Sequence, residues 1–188
     1  LGDGNACFAG NENLGAGGVL GKGVLCLDSD DSTLQLSFTA GGPNPGVGLA
    51  FYLDTTGGGV LGTHELPYPV NWHEDIAGGL MSGGVADIVF GPDFEPDVAV
   101  VLLDGTVAAY RLSPAEFGRI DVEVSWKWPE VTMWLEKEQL DLVAPGVVQV
   151  LGTAVVPGRA IRLDEWIPAH MPAGNLWPPS VAELGPGD

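Results

Sequence analysis

Basic residues are scarce: seven Lys and Arg stand against 25 Asp and Glu, for a formal net charge of −18 at pH 7. A surface this negative repels phosphate backbones and anionic lipid, which excludes nucleic acid as a partner and docking on an acidic membrane. No run of about 18 apolar residues occurs, so no transmembrane helix and no membrane insertion are expected. The Gly-x-Ser-x-Gly elbow is missing, and neither cysteine has a His near it in sequence, so nucleophilic catalysis has no motif to rest on. Histidine is equally sparse, and the spacing of His64 and His73 matches no standard zinc pattern. The chain therefore reads as a non-enzyme.

Cysteine is limited to Cys7 and Cys26. In an extracellular protein two cysteines closing a short loop read as one disulfide, and two buried free thiols are the alternative. Loop closure of this length is worth about 3 kcal/mol in the chain-entropy description. The chain opens at Leu1 without a basic-then-apolar leader, which reads as a signal peptide already removed. The expected setting is extracellular or cell-surface.

Glycine (29) and proline (15) are abundant and spread along the chain, within a composition that is 45% apolar. Many short strands separated by turns are the structure such punctuation favours. Residues 33–39 alternate cleanly, with Leu34, Leu36 and Phe38 on one face. Residues 47–53 are apolar almost throughout, as in a strand covered on both sides. Asp104-Gly105 between two apolar runs is a hairpin signal. In residues 121–128 the alternation puts Val122, Val124, Trp126 and Trp128 together. Residues 131–135 and 147–156 continue the pattern, the latter interrupted by Gly152, and residues 160–163 form a short further strand.

The reading is all-β: an antiparallel β-sandwich or jelly roll of about nine strands spanning residues 24–165. Before it lies a Gly-rich arm, residues 1–23, and after it a Pro-rich extended tail, residues 166–188.

Four local patterns carry a family resemblance. They are Thr33-Leu34-Gln35-Leu36-Ser37-Phe38 after an Asp-rich turn, and Leu49-Ala50-Phe51-Tyr52-Leu53-Asp54-Thr55 before Gly57-Gly58-Gly59. Phe94-Glu95-Pro96-Asp97-Val98-Ala99-Val100 and Met133-Trp134-Leu135-Glu136-Lys137-Glu138-Gln139-Leu140 complete the set. Together they resemble extracellular β-sandwich domains of the DOMON and family 9 carbohydrate-binding-module type, over roughly residues 24–168. The resemblance implies a sandwich that binds sugars, haem or calcium, or serves as a structural surface module. Haem would require an axial Met and His, and Met81, Met133 and Met171 have no spacing to a His that singles out a pair.

Candidate sites follow from local density. Asp28, Asp30 and Asp31 form a tight acidic turn, and Asp54 begins a second one with Thr55 and Thr56. Carboxylates this close repel unless solvated or neutralised, so these are either plain solvated turns or sites for calcium, the one candidate cofactor, with no organic cofactor expected. Trp72, Glu74 and Asp75 sit together in a long irregular stretch and are the ligand-binding candidates. The expected function is a secreted structural or self-assembly module whose arm adds a strand to a neighbour, with copies of itself or other surface proteins as partners. The alternative is a calcium-supported carbohydrate-binding module, with glycans as partners.

Overall fold

The computed structural model describes residues 6–12, 17–43, 48–56, 58–78, 88–142, 146–155, 166–167, 176–177 and 180–184. The chain runs through β1 (Ala6–Ala9), β2 (Val24–Ser29), β3 (Thr33–Thr39) and β4 (Gly48–Asp54). A short helix, α1 (Trp72–Ala77), precedes β5 (Val89–Phe90), β6 (Val98–Leu103), β7 (Thr106–Leu112) and β8 (Phe117–Ile120). Then come β9 (Glu123–Lys127), β10 (Glu130–Glu136), a 3-10 turn (Lys137–Leu140) and β11 (Gly146–Val155). The strands β12 (Trp166–Ile167), β13 (Leu176–Trp177) and β14 (Ser180–Leu184) complete the series.

Two antiparallel sheets face each other. The first has the order β1-β2-β3-β10-β9. The second runs β12-β11-β4-β6-β7-β8, with β14 also on β11. Leu25, Leu27, Leu34, Leu36, Phe38, Val131 and Met133 point inward from the first sheet, and Leu49, Phe51, Leu53, Val98 and Val100 from the second. The alternation read in residues 33–39 is thus the core-facing period of β3. The fold is the expected all-β sandwich.

β4 and β6 are buried along nearly their whole length because the second sheet has a third layer. Ala50, Tyr52, Ala99, Val101 and Leu151 pack outward against Val60, Ile76, Ala77, Ile88, Phe90 and Phe94. The Tyr52 hydroxyl donates to the Ala77 carbonyl at 2.8 Å, tying α1 to the sheet. The stretch that looked irregular is therefore a cover.

The described part of the Gly-rich arm is ordered: β1 pairs antiparallel with β2 of the same chain, Cys7 opposite Cys26, and Val19 and Leu20 are fully buried in the core. Two aliphatic side chains suffice to anchor a segment that otherwise lacks bulk. Gly152 does not interrupt β11, which runs on from Gly146 to Val155. A Cβ there would come within 2.9 Å of the Phe51 ring, so the glycine lets a core aromatic approach the backbone. In the described parts of the extended tail, β12 and β14 each pair with β11 at successive parts of its edge. Pairings of two to five residues carry no periodicity to read, so the described strands exceed the expected nine. The strand expected over residues 160–163 lies outside the described residues.

Candidate functional site

The acidic turn between β2 and β3 is organised by its own backbone. The Asp30 carboxylate accepts the Ser32 and Thr33 amides at 2.8 and 2.7 Å and the Thr33 hydroxyl at 2.9 Å. These bonds, the Thr33 amide foremost, hold its carboxyl down at about 2. Asp28 accepts the Ser29 amide at 2.8 Å, and Asp31 is exposed. Beside this turn Lys137, buried, donates its ammonium to the Asp30 carbonyl. Asp54 belongs to another place, where it accepts the Glu95 amide at 3.1 Å. Among the described residues no group of three His, Cys, Asp or Glu side chains is arranged to hold a metal.

Beside Asp54 lies a carboxylate that sequence reading did not single out as functional. Asp97, 4% exposed, accepts the Thr55 amide at 2.8 Å and the Thr55 and Thr56 hydroxyls at 2.7 and 2.8 Å. The Thr55 hydroxyl also donates to the Leu140 carbonyl at 3.1 Å. This network pins the end of β4, the start of β6 and the 3-10 turn together, a structural use of the Asp-Thr-Thr segment.

Trp72, Glu74 and Asp75 all fall on α1, with different fates. Trp72 is 60% exposed, next to Tyr68 at 89% and Val70 at 85%. Glu74 is buried and caps the helix: Asn71 accepts its amide at 3.0 Å, while its carboxylate accepts the Val70 amide at 2.8 Å and the Asn71 side-chain amide at 2.6 Å. This resembles a capping box with the back-bond shifted to the residue before the N-cap, and it engages both Glu74 carboxylate oxygens within the helix start. Burial, then the neighbouring Glu74 charge, pushes the Asp75 carboxyl up. His73 shares its Nε2 with the Thr106 hydroxyl at 3.0 Å, and burial with the Arg119 charge lowers its pKa. Met133 is in the core, while Met81, Met171 and His170 lie outside the described residues.

Cys7 and Cys26 form the expected disulfide. It joins residues directly opposite in the β1–β2 pair.

A different site emerges on the first sheet. Registers place Asp28, Gln35, Trp134 and Glu123 in one row across β2, β3, β10 and β9, on the face turned away from the core. The Trp134 indole N–H donates to the Gln35 side-chain oxygen at 2.9 Å, and the Gln35 amide donates to the Ser37 hydroxyl at 2.9 Å. The indole is therefore held by a two-bond chain. It lines a cleft of about 370 Å³ together with Arg119, Asp121, Glu123, Glu136 and Gln139. The apolar part of the lining is Val107, Ile120 and Val122, where β8 of one sheet passes to β9 of the other. The volume sits at the lower end of the roughly 300–1,000 Å³ that small-molecule sites occupy. Period-two parity was the available signal: with Val131, Met133 and Leu135 inward, Trp134 must face outward.

Trp126 and Trp128, the other paired tryptophans, stack at 6.2 Å and 21° and pack against the core edge. They are half-buried, as a structural pair would be. Comparison with protein-family models, with curated proteins and with solved structures returns no match.

Proposed function

We propose that this chain is a non-catalytic carbohydrate-binding β-sandwich module of the cell exterior, with the Trp134 cleft as its binding site. One observation carries the reading: a tryptophan ring fixed by Gln35 lines a concavity whose other polar groups are planar. Sugars present apolar C–H faces that stack on an indole, and rows of hydroxyls that pair with carboxylate, amide and guanidinium edges. A ring already immobilised loses little freedom on binding. The resemblance to DOMON and family 9 carbohydrate-binding domains supports the same class, and the disulfide supports an oxidising compartment.

The test is a glycan array followed by isothermal titration. Binding of a defined oligosaccharide should be lost in Trp134→Ala and retained in Trp72→Ala, with both variants melting cooperatively. A folded Trp134→Ala protein that binds as tightly as the parent, or a parent that binds no sugar, overturns the reading.

A second reading, a structural module that docks on its own copies or on other surface proteins, is favoured by the exposed run Leu61, Tyr68, Val70 and Trp72. It no longer draws on the arm, since β1 lies on its own sheet.

A further inference from the structure

The charge of the cleft narrows the class of sugar, an inference that rests on the carbohydrate reading above. We propose that the Trp134 cleft selects sugars bearing a free amine, such as glucosamine oligomers, and rejects uronates and sulfated sugars.

The cleft and the fixed indole define the site, and the charges around them define its preference. Asp121, Glu123 and Glu136 line it and are exposed, against a single cation, Arg119. Asp121 engages Gln139 only through its backbone amide, at 2.9 Å. Among the described residues Glu123 and Glu136 make no ion pair or side-chain hydrogen bond, so these exposed, cleft-lining carboxylates have no protein partner that a ligand would have to displace. Three carboxylates and one guanidinium leave a formal excess of two negative charges in the lining.

A protonated amine offers such a site three donors and a positive charge. It forms charge-assisted hydrogen bonds that a hydroxyl or an acetamide cannot match. An ammonium over an indole face gains again from the ring quadrupole. A uronate meets the opposite: like charges at short range, within a chain whose formal charge is already −18. Arg119 alone cannot reverse that balance.

The experiment titrates the whole protein with four oligosaccharides of equal length at mildly acidic pH: glucosamine, N-acetylglucosamine, neutral glucose and galacturonate. The glucosamine oligomer should bind about tenfold more tightly than the neutral ones, and the galacturonate oligomer should show no binding. Added salt should reduce the preference. Glu123→Gln with Glu136→Gln, both at exposed positions, should abolish the preference, bringing the ratio of glucosamine to glucose oligomer affinity to about one. If neutral and amine-bearing oligomers bind equally through a Trp134-dependent site, the charge inference falls and the carbohydrate reading stands. If no oligomer binds, or binding ignores Trp134→Ala, both fall.

Discussion

Asp30 shows how a single residue can look like a metal ligand and act as a turn former. Its carboxylate accepts four hydrogen bonds, from the amides and hydroxyls of Ser32 and Thr33, so the ionised form is favoured in the folded state, with a pKa of about 2 against an ordinary 3.8. The folded value is the depressed one. The stabilisation is therefore fully present above about pH 4 and fades as pH falls through about 2. Denaturant unfolding of the parent and of Asp30→Ala across this range should show a stability difference at neutral pH that shrinks below pH 4 and vanishes near pH 2. A difference constant with pH would mean that the turn bonds do not depend on the charge. The density of carboxylates at Asp28, Asp30 and Asp31 was legible in the chain. The bond from Lys137 to the Asp30 carbonyl was not, because Lys137 lies 107 residues away and only the fold brings them together.

At the scale of the element, legibility depended on length and period. Seven-residue strands such as β3 and β10 announce both their existence and their facing by alternation. β4 announced that it was covered on both sides, but its cover is a six-residue helix and loops, too short for a helical period. For the same reason α1 depends on its cap rather than on intrinsic propensity. Glu74→Ala removes two acceptor bonds at that cap and should cost about 1–2 kcal/mol, or about 2–4 °C in Tm per kcal/mol for a chain of this size. Calorimetry measures the loss. Because Glu74 supports the helix and does not line the Trp134 cleft, sugar affinity should not change. Weakened binding in a variant of unchanged stability would return Glu74 to the list of ligand-contacting residues. Trp134 was legible in principle by parity, yet the aromatics that draw notice in a sequence are those in loops, such as Trp72. The parity of a strand becomes a site only when the neighbouring strand supplies Gln35 and the next supplies Glu123.

For the whole molecule the decisive question is where the first 23 residues belong. A Gly-rich arm needs a surface, and the sequence alone allowed that surface to be a neighbour's. In the fold the arm returns to its own chain through β1, the Cys7–Cys26 bond, and Val19 and Leu20 in the core. Truncating a buried aliphatic side chain such as Leu20 to Ala costs about 2–5 kcal/mol, a large share of the 5–15 kcal/mol that holds a typical domain folded. An arm held in cis makes that loss independent of protein concentration, whereas an arm exchanged between copies makes it a loss of association, with Tm rising with concentration by mass action. Thermal unfolding of the parent and of Leu20→Ala over a hundredfold range of concentration separates the two. Leu20→Ala should melt lower by the same amount at every concentration. A concentration-dependent Tm in the parent would show assembly, and Tyr68→Ser then locates it. If that change abolishes the dependence, copies meet through the exposed run at Leu61, Tyr68, Val70 and Trp72; if the dependence survives it and is lost in Leu20→Ala, the arm works in trans.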